Sequence, residues 1–126
     1  LHTERGEGAV VCPGGSATVL LQRPTGEQHK FLFDHVFGPE ASQEEVFKTL
    51  GEPQIGKALE GYNSTIFAYG HTGTGKTFTI LNADAEPQER GLFPRIAEGL
   101  YAKIHSFAAE RPTREYLVQA SFIEIY

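Results

Sequence analysis

Over the first third of the chain, apolar residues come in short blocks broken by turn formers; beyond it they recur at helical spacing. Ala9-Val10-Val11 and the run Ala17 to Leu21 read as strands, followed by the turns Pro13-Gly14-Gly15 and Pro24-Thr25-Gly26. Lys30 to Phe37 (KFLFDHVF) predicts a further strand, ended by Gly38-Pro39. Ser42-Gln43-Glu44-Glu45 is a capping box, in which the Ser42 hydroxyl accepts from the Glu45 N–H and the Glu45 carboxylate reaches back. A helix follows toward Gly61, with Val46, Leu50, Ala58 and Leu59 only loosely periodic. Gly51 and Pro53 interrupt it, and an interior proline costs about 3 kcal/mol, so a kink or two shorter helices are expected.

Ser64 to Tyr69 is an uncharged run of β-branched and aromatic residues, the pattern of a strand buried on both faces. Tyr62, Phe67 and Tyr69 are accordingly expected in the core. Phe78-Thr79-Ile80-Leu81 continue as a helix, and the polar stretch Ala83 to Arg90 suits an exposed loop. Pro94 sits early in the next helix, where its missing N–H does no harm. Phe93, Ile96, Leu100, Ile104 and Phe107 form a core-facing stripe at spacings of three and four. Arg111-Pro112-Thr113 is a turn, and Tyr116 to Tyr126 (YLVQASFIEIY) predicts a last strand. Alternating strands and helices point to an α/β sheet covered on both faces.

Between the Ser64–Tyr69 strand and the helix at Phe78 lies GHTGTGKT, residues 70–77, which fits the phosphate-binding pattern G-x-x-x-x-G-K-[ST] at every fixed position. Gly70, Gly73 and Gly75 let the backbone turn tightly and aim N–H groups, those of His71, Thr72 and Thr74 among them, at phosphate oxygens. Lys76 supplies a cation for the β- and γ-phosphates, and Thr77 a hydroxyl ligand for Mg²⁺. The helix dipole adds positive potential. Strand, glycine-rich turn and helix are the context the motif requires, against the alternative of a flexible glycine-rich loop.

Phe33-Asp34-His35-Val36-Phe37, the helix from Ser42, and above all GYNSTIFAYG at 61–70 leading into the loop resemble the motor domain of the kinesins. Gly91-Leu92-Phe93-Pro94-Arg95 and Phe122-Ile123-Glu124-Ile125-Tyr126 continue the likeness, which runs from about residue 30 to the end of the chain. The resemblance implies a P-loop NTPase three-layer α/β sandwich of kinesin motor type, incomplete at both ends, with residues 1–126 forming a partial motor domain. It implies an ATP-hydrolysing motor in the cytoplasm and on the cytoskeleton, with ATP and Mg²⁺ held by Gly70 to Thr77. Its microtubule-facing elements and neck are expected downstream of this segment, and any dimerising coiled coil outside it. Phe78 falls where the family places a ring beside adenine; the alternative is a helix residue packed inward. Where kinesins usually have glutamine this chain has His71, either a solvated side chain or an imidazole that makes ATP affinity pH-dependent. The loop Ala83 to Arg90 corresponds to the family's insertion after the nucleotide loop.

Composition narrows the field further. The 126 residues include 40% hydrophobic and 21% charged residues, as in ordinary globular domains. A net charge of −5 argues against nucleic acid as a partner of this segment, and no apolar run has the length of a membrane span. One cysteine, Cys12, fits a reducing compartment, and the five histidines show no zinc spacing. The absence of methionine and the strand-like ending at Tyr126 are what a fragment would show. Neither a switch rich in serine and arginine nor a D-x-x-G strand end occurs, because Asp34 and Asp84 lead into His-Val-Phe and Ala-Glu-Pro. The family's R-x-R-P segment is also absent, and Gln22-Arg23-Pro24 reads as a turn. No catalytic residue is assigned, and the segment alone is expected neither to hydrolyse ATP usefully nor to bind microtubules tightly. Glu44 with Glu45, and Glu86 with Glu89, read as solvated charge; Asn63-Ser64-Thr65 reads as a chance glycosylation pattern. A phosphate-loop kinase or GTPase and a non-catalytic interaction module are the competing readings.

Overall fold

A computed structural model describes residues 9–11 and 17–125, with side chains from residue 17 onward. The turn Pro13-Gly14-Gly15, Cys12 and Tyr126 lie outside the described residues. The chain divides between Ala41 and Ser42 into two compact units.

The first unit is built on an antiparallel sheet in the order β1 (Ala9–Val11), β2 (Thr18–Gln22) and β3 (Gln28–Leu32). β2 pairs with β3 from Thr18 opposite Leu32 to Gln22 opposite Gln28. The turn between them has the chemistry its residues dictate: Pro24 at the second position fixes φ, and the Gly26 N–H returns to the Arg23 carbonyl at 2.9 Å. Gly26 takes a φ of 85°. Arg23 and Glu27 also pair through their side chains at 3.1 Å across the loop. Gln22-Arg23-Pro24 thus leads into a hairpin turn, as expected. The expected strand Lys30 to Phe37 is shifted: pairing starts at Gln28 and stops at Leu32, because register from the turn decides which residues meet.

In the second unit the chain is helical from Gln43 to Leu59, as α1 (Gln43–Val46), a π turn (Phe47–Gly51) and α2 (Glu52–Leu59). The Ser42 hydroxyl accepts from the Glu45 N–H at 3.1 Å, half of the capping box. The interruption expected at Gly51 and Pro53 is the π turn. The Glu52 N–H reaches Phe47 O, five residues back, and this wider turn absorbs the donor and the space that Pro53 denies an α-helix. On the exposed face, Glu44 pairs with Lys48 one turn on; the ammonium holds the Glu44 carboxyl below the usual carboxylate range, and Glu44 raises Lys48.

α2 ends in a Schellman motif. Gly61, at φ 99°, donates to Ala58 O at 3.1 Å, and Tyr62 donates to Lys57 O at 3.0 Å. α3 (Lys76–Ile80), a 3₁₀ turn (Pro87–Glu89) and α4 (Leu92–Glu110) follow. α4 packs on α2 and the π turn. Gly99 makes the approach possible, since a β-carbon there would stand 2.7 Å from Ile55 Cδ1. Ile55 and Leu92, each 2% exposed, are the buried apolar side chains among the described residues, and full burial of such a side chain contributes about 2 kcal/mol. Ile96, Leu100 and Ile104 are half-buried as the stripe predicts, while Phe93 and Phe107 at its flanks are exposed.

Two expectations need correcting. Neither Ser64–Tyr69 nor Tyr116–Ile125 joins a ladder among the described residues. Tyr62, Phe67 and Tyr69 are exposed rather than in the core, Phe67 at 79% and Tyr69 at 94%. A strand buried on both faces needs a hydrogen-bonded neighbour and a covering layer. The described residues give these segments no strand neighbour, so their apolar side chains face solvent.

Gly91 is held by sterics rather than by its torsions: a β-carbon there would lie 2.8 Å from Ile80 C and from Thr79 O. Gly91→Ala is expected to lower unfolding free energy by about 1–3 kcal/mol, measured by chemical denaturation, whereas Gly56→Ala, with open space around it, should not destabilise.

Candidate nucleotide-binding site

Schellman capping at Gly61 throws the chain out of α2 and along 62–69, where Ser64 Oγ bonds Gln54 Oε1 at 3.1 Å. The segment then enters the loop at Gly70. Here φ is 154°, and a β-carbon would meet Thr74 Oγ1 at 2.6 Å, so the position accepts glycine alone without rearrangement. Gly73 and Gly75 take φ of 84° and 89°. Open space surrounds both, so the left-handed backbone, not crowding, selects glycine there.

His71 closes the loop through its backbone. Its carbonyl accepts from the Thr74 N–H at 3.3 Å and from Thr74 Oγ1 at 2.8 Å. Lys76 folds back over the same entry, donating Nζ to Gly70 O at 2.8 Å and His71 O at 2.6 Å. The result is a small ring from Gly70 to Lys76 with the ammonium at its edge. The His71 side chain is exposed, as are Thr72, Gly73, Thr74 and Thr77.

Gly75 caps α3, whose first internal bond is Thr79 N–H to Gly75 O at 2.8 Å. The N–H groups ahead of that bond, from Lys76 to Phe78, have no helical acceptor behind them. A loop of left-handed glycines, a lysine and a helix start together make an anion site. The Thr77 hydroxyl, on the first turn, is the oxygen donor available to a cation accompanying that anion. Among the described residues no cluster of three or more His, Cys, Asp or Glu is arranged to hold a metal. Phe78 is half exposed, at 50%, so inward packing does not account for it. An apolar cavity of about 360 Å³ opens behind the loop, lined by Leu50, Ile66, Tyr69, Ile80 and Leu92 with Lys76 at its polar side.

The far end of α3 is held by residues that carry no motif. Gln43, buried at the start of α1, donates Nε2 to Phe78 O at 2.8 Å. Thr77 O accepts from the Leu81 and Asn82 N–H groups, and Leu81 O from Gly91. Sequence offered only the capping box as a hint of Gln43, because nothing in S-Q-E-E says that its second residue turns inward.

The kinesin motor domain model matches residues 14–126. The chain is 43% identical over 112 residues to the kinesin-like protein KIN-14C of Arabidopsis thaliana, covering 89% of this chain and 14% of that protein. A crystal structure of Drosophila Kin10/NOD in complex with divalent manganese and ADP superposes with a TM-score of 0.71 at 28% identity, over 86% of this chain and 37% of that one. Drosophila NOD, docked with bovine tubulin into an 11 Å cryo-EM map of the nucleotide-free microtubule complex, matches at TM-score 0.72 and 28% identity, over 82% of this chain and 36% of the other. The chain therefore spans about a seventh of the length of that plant relative and little more than a third of the solved motors. With a family match over nearly its whole length and a fold shared with solved motors, this chain belongs to the kinesin motor domain family.

Proposed function

We propose that residues 70–77 hold the phosphates of ATP with Mg²⁺ in a microtubule motor that couples ATP hydrolysis to movement. The observation that carries the reading is Lys76 lying across a loop whose glycines take left-handed torsions, immediately ahead of a helix. Family membership supports it, and so do a neighbour crystallised with manganese and ADP and another docked on the microtubule.

Each residue has a defined part. The loop N–H groups face the phosphate oxygens, and Gly70 and Gly73 keep β-carbons out of that approach. Lys76 moves its ammonium from the Gly70 and His71 carbonyls to the phosphates, exchanging neutral acceptors for charged ones. Thr77 offers its hydroxyl to the metal, which when bound neutralises charge on the phosphate oxygens. The exposed ring of Phe78 lies one residue beyond, placed to stack on the base. His71 contributes its backbone, and its exposed imidazole is not needed for the grip. The segment contains no D-x-x-G and no serine–arginine switch. Positioning of the attacking water is accordingly assigned to the motor's other elements, as are the microtubule contacts that place it on the cytoskeleton.

A bond from an ammonium to a charged acceptor contributes about 1.5–3 kcal/mol. Lys76→Ala in the complete protein should therefore weaken Mg-ATP binding about 10- to 100-fold by equilibrium dialysis, with Gly70→Ala losing binding through loop strain. Unchanged retention by Lys76→Ala would count against the site. ATPase turnover of the complete protein should rise on adding microtubules, while the 126-residue segment alone should show no stimulated turnover. Displacement of ATP by GTP at equal concentration would favour a GTPase instead.

A further inference from the structure

The connection from α3 to α4 is polar and its Glu86 to Glu89 stretch is exposed. Its backbone is nonetheless tightly held, because four successive carbonyls accept from side-chain nitrogens. Arg95, in the first turn of α4, donates Nη2 to Pro87 O at 3.0 Å and to Gln88 O at 2.9 Å, and Nε to Arg90 O at 2.8 Å. Asn82 donates Nδ2 to Glu89 O at 2.6 Å from a left-handed backbone with φ 31°. Gly91 completes the closure with its N–H on Leu81 O at 3.2 Å and its Cα against the last turn of α3. Only a guanidinium has the planar fork of donors to serve three carbonyls on two sides at once; a lysine presents one compact charge.

The clamp matters because α3 has five residues. A helix that short does not hold its own conformation, and its pose follows whatever holds its ends. One end is the phosphate loop. The other is fixed by Gln43 and by the 82–91 connection. We propose that Arg95 is a positioning residue for the phosphate loop, acting through the 82–91 connection to hold α3 in the pose that presents Lys76 and Thr77. The proposal rests on the reading of residues 70–77 as a nucleotide site. Arg95 touches no loop residue and takes no part in the chemistry; it limits how far the helix behind the loop can tilt.

The test uses the complete protein in four forms: wild type, Arg95→Lys, Asn82→Gly and Glu98→Gln. Asn82→Gly keeps the left-handed backbone while removing the amide. Glu98→Gln weakens only the surface pair with Arg90. Amide exchange without nucleotide and Mg-ATP affinity by equilibrium dialysis are measured for each, with KM and kcat for ATP. Arg95→Lys and Asn82→Gly should accelerate exchange of the Leu81 and Gly91 N–H groups. Both should weaken Mg-ATP binding and raise KM about five- to tenfold, with kcat at saturating ATP within about twofold, and Glu98→Gln should match wild type. Faster exchange with unchanged affinity in both variants would make the clamp purely local and overturn the proposal. A wild type that does not retain Mg-ATP would overturn the nucleotide reading, and the proposal with it; a wild type that does, matched by both variants, overturns the proposal alone.

Discussion

The left-handed backbone of the loop between Gly70 and Gly75 is the constraint on which the rest depends. Three glycines at positive φ reverse the chain so that its carbonyls gather at the entry and its N–H groups face outward ahead of α3. That polarity is what lets Lys76 find two carbonyls on one side while the loop keeps donors for an anion on the other. A side chain at Gly70 would collide with Thr74 and spoil both features at once. Chemistry here is therefore a property of backbone conformation first and of side chains second.

Such a loop needs fixed ends, and the fold supplies them by different means. Upstream, the Schellman cap at Gly61 and the Ser64–Gln54 bond tie the approach to α2. Downstream, a buried glutamine, a left-handed asparagine and an arginine chelating three carbonyls substitute for the helical length that α3 lacks. The apolar contacts between α2 and α4, centred on Ile55 under Gly99, form the base to which these polar ties attach. Polar bonds give the site its orientation, and apolar packing gives that orientation something to be measured against.

Local chemistry was legible in the sequence wherever one residue type has one conformational job. Ser42 caps, Pro24 and Gly26 turn, Gly61 ends a helix, and the glycines of the loop take the torsions that their spacing implies. Pro53 correctly marked an interruption, although the chain solved it with a wider turn. What could not be read was anything that depends on partners distant in sequence. Ser64–Tyr69 and Tyr116–Ile125 have strand composition, but pairing requires neighbours, and the described residues offer none. Gln43 and Arg95 carry no pattern, because a side chain's choice of a far carbonyl leaves no periodic trace.

If the loop grips the chain of phosphates, affinity must depend on how many phosphates the ligand has. Calorimetric titration of the complete protein with Mg-ATP, Mg-ADP and AMP tests that directly. Loss of the β-phosphate removes the acceptors that Lys76 and the loop N–H groups serve, so AMP should bind about a hundredfold or more weaker than ADP. AMP binding as tightly as ATP would show that the base or sugar carries recognition, and the account built on residues 70–77 would be wrong.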